Sequence, residues 1–310
     1  MFRRARPELA LLIALAGTVD AAPDVPRGRR TVRREPTHVV LRALDVDAQG
    51  ARARLAPGVA VVVAGPARSG MVTATTVGPV EVTARVEAAA LGARIAADTD
   101  VRRVDGAAPI GRARAGALVV VVGRGGGGLV CDTVGPVRAR VVVPADTITA
   151  EPRELVYPVA EHRLAAVGAP TDLVGAPGGQ AVARLERGAR LAVVDEDGAW
   201  ARVRSYGAFE IDGYVARERL VDRADAPPLD EPGSKGLTPT HEALVDTPAF
   251  ADAAGRRAAG TLRGGALVSV GIERNGPRVQ VMTHGDVVVE LWVPLASLRP
   301  LEPDIWSERN

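Results

Sequence analysis

TVGPV (Thr76–Val80) returns unchanged as TVGPV at Thr133–Val137. Two later stretches, RSYGAFEIDGYVARERL (Arg204–Leu220) and MTHGDVVVELWVPLASL (Met282–Leu298), carry the same pattern with different residues. Aligned on Gly78, Gly135, Gly207 and Gly285, the four place Val86, Val143, Val215 and Val293 in one column. Leu91, Ile148, Leu220 and Leu298 fill another, with no gaps. Self-similarity sustained over such a distance marks a repeated unit rather than chance in a Val-rich chain.

The match continues upstream. LAPG, RARAG, LERG and LRGG place Gly58, Gly116, Gly188 and Gly264 ahead of the central glycines. Each is followed by an apolar run (VAVVVA, ALVVVV, ARLAVV, ALVSVG) and then by a turn (PARSG, GRGGGG, DEDG, ERNG). Short β-branched runs punctuated by Gly, Pro, Asp and Asn are hairpin chemistry. Each unit reads as about five strands in roughly sixty residues, the length of a small β-barrel. The first strand is expected near His38–Leu44, Ala93–Ala97, Leu164–Val167 and Glu242–Val245, and a short 3₁₀ turn near VARERL and WVPLASL.

The third unit carries LERG (Leu185–Gly188), GAWARV (Gly198–Val203) and DGYVARERL (Asp212–Leu220). The fourth carries LRGG (Leu262–Gly265) and LWVPLASL (Leu291–Leu298). In these the chain resembles the bacterial SH3 (SH3b) family. In the fourth unit Arg278 stands where the family has its first Trp, and Glu290-Leu291 where it has Gly. The first two units keep only spacing and apolar pattern. The resemblance implies an all-β fold of four tandem small SH3-like β-barrels. The expected boundaries are 37–92, 93–150, 163–223 and 241–302, with a linker at 151–162 and a Pro/Gly-rich linker at 224–240.

The N-terminus reads as a secretory signal peptide over 1–21. Arg3, Arg4 and Arg6 form a positive n-region, LALLIALAG (Leu9–Gly17) an apolar core, and small residues surround the expected cut after Ala21. The apolar run is too short to span a bilayer, and no transmembrane segment is expected in the mature chain. A basic linker (22–36) containing RGRRTVRR (Arg27–Arg34) follows, and a tail (303–310) closes the sequence. The expected location is periplasmic or extracellular.

A chain of 310 residues suits two or more domains, and with aromatics at 3% its core must be built from Val, Leu and Ala. Acidic and basic residues are interspersed, so no nucleic-acid surface is expected. With Cys131 as the sole cysteine there is no intrachain disulfide and no Cys-based zinc site. GRGGGG (Gly123–Gly128) contains GxGxxG, but LVCDTVGPV follows it instead of a helix. It therefore reads as a hairpin tip rather than a nucleotide loop. Cys131 falls in a column with Ala74, Val203 and Val281, which makes it a buried thiol rather than a nucleophile. His38, His162, His241 and His284 do not cluster, and Asp195 and Asp197 sit in a turn. No enzyme, metal or cofactor is expected.

Aromatic residues supply the candidate binding residues. Residues 38–148 contain none, whereas Trp200, Tyr206, Phe209 and Tyr214 crowd the third unit and Trp292 aligns with Tyr214 in the fourth. Exposed aromatics offer flat, rigid contact area, so these five are the candidate ligand-binding side chains, with Tyr206 and Phe209 at a loop tip. The resemblance implies a cell-envelope ligand, first of all peptidoglycan or its stem peptides. The alternative partner is an envelope protein bound by a periplasmic or surface adaptor, by way of an exposed sheet edge.

Overall fold

The structure, a computed structural model, describes residues 35–157, 159–222 and 238–301. The expected signal peptide, most of the two linkers at 22–36 and 224–240, and the tail lie outside these residues.

Segment one (37–92) holds β1 (His38–Val40), β2 (Leu44–Ala48), β3 (Ala51–Leu55), β4 (Ala60–Arg68), β5 (Met71–Thr76) and β6 (Val80–Glu87). β7 (Leu91–Ile95) runs across the expected boundary into segment two (93–150). There follow β8 (Thr99–Arg103), β9 (Pro109–Ala113), β10 (Leu118–Gly125), β11 (Gly128–Thr133), β12 (Val137–Arg138), β13 (Arg140–Val143) and β14 (Ile148–Thr149). Segment three (163–223) contributes β15 (Arg163–Val167), β16 (Thr171–Val174), β17 (Ala181–Leu185), β18 (Arg190–Asp197), β19 (Trp200–Ser205), β20 (Phe209–Ala216) and β21 (Leu220–Asp222). Segment four (241–302) contributes β22 (His241–Ala243), β23 (Thr247–Phe250), β24 (Ala258–Leu262), β25 (Leu267–Asn275), β26 (Arg278–Thr283), β27 (Val287–Pro294) and β28 (Leu298–Pro300). Among the described residues no helix is long and apolar enough to cross a membrane.

The glycine-centred stretches are tight connections between long strands, and a hydroxyl two residues before each glycine holds them. Thr76, Thr133, Ser205 and Thr283 each donate to the carbonyl four residues on, at 2.7, 2.6, 2.7 and 2.7 Å. Each also accepts the backbone N–H six residues on, from Val82, Ala139, Ile211 and Val289, at 2.8–2.9 Å. These hydroxyls are buried, so they stand in for ladder bonds that a turning chain cannot make. The glycine itself takes positive φ in all four (148°, 117°, 151° and 92°), which L side chains rarely adopt. The Gly-rich stretch of segment two is the tip joining β10 to β11, with Gly126 and Gly127 both at positive φ, as a two-residue hairpin turn requires.

The four segments are not separate barrels. Among the described residues, the 28 strands belong to one continuous, antiparallel, hydrogen-bonded sheet. Followed from strand to strand, its pairings branch but never return to their start, so the sheet does not close. The physical reason lies in the third strand of each segment. β3, β9, β17 and β24 each pair on one edge with their own segment, with β2, β8, β16 and β23 respectively. Their other edge, which a closed barrel would satisfy internally, is taken by a different segment. β24 pairs with β6 and β3 with β27, joining segments one and four. β9 pairs with β20 and β17 with β12, joining segments two and three. The arrangement is nested, the outer segments together and the inner segments together. Each join is reciprocal, like an isologous dimer contact.

Burial follows the nesting. One core combines segments one and four, around Val40, Leu55, Val61, Leu262, Leu291 and Val293. The other combines segments two and three, around Ile95, Val119, Leu173, Leu185, Phe209 and Ile211. β7 connects them. Its first residues pair with β1 and its later residues lie between β10 and β14, and it buries Leu91 in the first core and Ile95 in the second. Arg94 on the same strand is 7% exposed and donates to the carbonyls of Gly58 and Arg153, pinning a turn of segment one to the stretch beyond β14.

Candidate binding surface at the seam of segments two and three

The two joins are variations on one seam. At the first, Gly260, Thr261 and Leu262 face Val82, Glu81 and Val80. At the second, Gly111, Arg112 and Ala113 face Ile211, Glu210 and Phe209. Both need glycine: a Cβ at Gly260 or Gly111 would lie 1.9 Å from the carbonyl oxygen of Glu81 or Glu210. Just past each strand, an arginine locks the seam. Arg114 donates Nε and Nη2 to Glu210 Oε1 (2.9 and 2.6 Å) and Nη1 to Asp98 (2.6 Å). Arg263 does the same to Glu81 (3.0 and 2.7 Å) and Asp246. Both guanidiniums are about one-fifth exposed, so these pairs are less screened than surface pairs. Arg114 and Arg263 are held above the ordinary arginine range, chiefly by their bonds to Glu210 and Glu81. The Asp98 carboxyl is held below the usual carboxylate range, first by the Ala115 N–H and, against partial burial, by Arg114.

The inner contacts show where Phe209 belongs. The facing pairs are Val80 with Leu262, Val287 with Leu55 and Val137 with Leu185. In the fourth, Phe209 faces Ala113, a larger residue opposite a smaller one, which conserves the volume of the pair. Phe209 is 2% exposed and packs in the core, not at a loop tip on the surface.

The outer faces differ. Around the seam of segments one and four stand Thr261, Pro248, Thr75 and Thr83, with the hydroxyls of Thr75 and Thr83 bonded at 2.9 Å. The matching positions at the other seam are Arg112, Asp100, Arg204 and Asp212. There Arg204 grips Asp212 with two bonds (2.8 and 3.2 Å), and Arg112 lies 3.7 Å from Asp100. With Arg114 and Glu210 these side chains line a groove of about 410 Å³. A smaller adjoining hollow adds Val159, Glu161, His162 and Tyr206.

Tyr206 is half-buried and stacks on Tyr157, ring centres 6.3 Å apart. Tyr157 comes from the stretch expected to be a linker and was not among the candidate residues. Beside it Val156 and Val159 are 70% and 90% exposed. Trp200 and Tyr214 are half-buried on the outer face of β19 and β20, diagonal neighbours across the ladder, with Arg202 opposite Tyr214. Trp292 lies apart from them, on β27 of segment four, opposite Phe250 and Gln280. The guanidinium of Arg278 lies over the Phe250 ring at 5.1 Å. The structure thus gathers Tyr206, Trp200 and Tyr214 on one segment and places Trp292 in the other half of the sheet.

Cys131 is fully buried, and burial together with the neighbouring Asp132 pushes its thiol up to about 11. It stays protonated and unreactive at neutral pH. Among the described residues no three His, Cys, Asp or Glu side chains gather into a metal-binding group.

Comparison of the chain with protein-family models, with curated proteins and with solved structures finds no match. The SH3b resemblance is therefore overturned twice: no family model matches, and the sheet is one open, nested whole instead of four closed barrels. The peptidoglycan reading rested on that resemblance and falls with it.

Proposed function

We propose that the chain is a non-catalytic binding protein that docks an extended polypeptide segment of a partner along the outer face of the seam between segments two and three. One observation carries this reading. The same seam is built twice with the same glycine and the same locking arginine, yet only one copy adds a charged outer face. That face combines a small apolar centre (Tyr157, Val159, Tyr206) with a rim of both charge signs (Arg112, Arg204, Glu161, Asp212). Apolar and aromatic anchors inside a polar rim are the composition of protein interfaces. Exposed ion pairs such as Arg204–Asp212 contribute at most about 1 kcal/mol, so they exchange readily for a partner's charges.

A photo-crosslinking side chain at Val159 tests the reading, with a second at Thr261 on the other seam as control. The expected result is one polypeptide adduct from Val159, carrying both charge signs, and none from Thr261. Equal labelling from both seams, or none from either, would defeat it. The leader residues Met1–Ala21 support an exported location, which intact-mass measurement of protein from its native cells checks: a chain starting at Ala22 is expected.

A further inference from the structure

The outer face of the β4–β5–β6 meander in segment one carries a second groove, of about 410 Å³. Its lining includes Arg68, Thr73, Arg85 and Met71, and no carboxylate. Three other grooves mix signs: Asp100, Glu210 and Asp212 with three arginines at the seam, Glu161 and Glu210 with Arg114 and Arg204 in its neighbour, and Glu196 with Arg163 and Arg217 beside β21. Among the described residues neither Arg68 nor Arg85 takes part in an ion pair, whereas Arg42, Arg103, Arg112, Arg140 and Arg204 all do. On this face Glu87, opposite Met71, is engaged by Arg42.

Two features of the backbone set this groove apart. First, the ladder of β4 and β5 skips from Ala64 to Arg68, so Gly65, Pro66 and Ala67 bulge out with no cross-strand partner. Second, the strand edge beside Arg85 makes no ladder pairing, although β2 lies alongside it. The position of Arg85 is held by Val142, Tyr214 and Trp292 in the other segments, and each of these is paired with an outer strand, at Arg102, Val174 and Phe250. In segment one the corresponding strand, β2, pairs with β3 alone. The position of Arg68 is held elsewhere by Gly125, Asp197 and Asn275. The arginine pair is thus confined to the one segment in which this edge makes no ladder pairing.

We infer that this groove binds an oxyanion of the phosphate or sulfate class, with Arg68 and Arg85 as charged donors and the Thr73 hydroxyl as a third. Two unpaired guanidiniums beside a hydroxyl supply directional donors that match a tetrahedral anion.

The test uses the full chain and inorganic phosphate, followed by calorimetry at fixed ionic strength, with sulfate in parallel. Saturable one-site binding is expected. Arg68→Ala and Arg85→Ala should each weaken it about tenfold or more, the usual worth of a charge-assisted bond. Arg85→Lys should recover part of the loss. Arg202→Ala, at the position that matches Thr73 in segment three, should leave affinity unchanged. Thermal melting of the variants confirms that they fold, as expected for exposed side chains. Non-saturable uptake, or an affinity that falls equally in Arg202→Ala, would overturn the site. Vesicles of phosphatidylglycerol separate the sources: Arg85-dependent co-sedimentation assigns the anion to a lipid headgroup, and phosphate binding without co-sedimentation assigns it to a soluble ester.

Discussion

The seam of segments one and four and the seam of segments two and three share backbone, glycine and locking arginine, but not their fillings. Inside, one joins Val80 to Leu262 and the other Phe209 to Ala113. Outside, one presents Thr75, Thr83 and Thr261, and the other Arg204, Asp212 and Arg112. The shared parts are those that geometry dictates, since two backbones close enough to pair at Gly111 or Gly260 leave no room for a Cβ. The differing parts are free to change, inside if volume is conserved across the pair, outside with little constraint at all. A feature found at only one of two equivalent seams is therefore better evidence of function than one found at both.

The comparison breaks most severely at Phe209. Phe209→Ala empties the larger member of a large–small pair and should destabilise the chain by about 3–5 kcal/mol in urea denaturation. Val80→Ala, at the matching position, should cost roughly 1.5–2 kcal/mol. Equal losses would show that Phe209 is not packed as described. Next come the turn hydroxyls. Ser205→Ala and Thr283→Val each strand a buried carbonyl and a buried N–H, and each should lower stability by about 1–3 kcal/mol. A neutral result at either seam would remove the hydroxyl from the account.

Acid sharpens the comparison further. The folded carboxyl of Asp98 titrates below its unfolded value of about 3.9, so unfolding takes up a proton. Its contribution is complete above pH ~4 and is lost as pH falls through the depressed folded value. Asp98→Asn should flatten that acid limb in denaturation curves recorded between pH 2 and 5, by less than about 1 kcal/mol because the group is partly exposed. The smallest effect on stability is expected for Arg204→Ala, within about 0.5–1 kcal/mol, since its pair with Asp212 is exposed. The same change should weaken crosslinking from Val159, so stability and binding separate at this residue.

Parts of this were legible in the sequence. The column of Val80, Val137, Phe209 and Val287 is apolar throughout, and that alone assigns Phe209 to a core position; reading it as a loop tip gave its closeness to Gly207 too much weight. Tyr157 carried no signal, because it belongs to no repeat and meets Tyr206 only after folding. The nesting left a faint trace. Gly58 to Gly78 and Gly265 to Gly285 share one spacing, and Gly116 to Gly135 and Gly188 to Gly207 share a spacing one residue shorter. The positive-φ turn glycine of segment four is Gly265, one residue beyond the Gly264 used for alignment. The longer spacing matches the larger bulges of segments one and four, after Ala64 and after Val270.

The sequence by itself determined the all-β class, the turns and their fourfold recurrence. Alternating burial, glycines at positive φ and the hydroxyl two residues ahead of each are local requirements, written within a few residues of where they act. Only the tertiary structure decided which segment each third strand pairs with. A backbone N–H and C=O make the same ladder with a strand of their own segment as with one 182 residues away, the distance between Glu81 and Arg263. Backbone hydrogen bonds cannot distinguish a closed barrel from an open nested sheet. The choice rests on side chains that meet only once the chain is folded: Leu262 on Val80, Phe209 on Ala113, and an arginine across each seam.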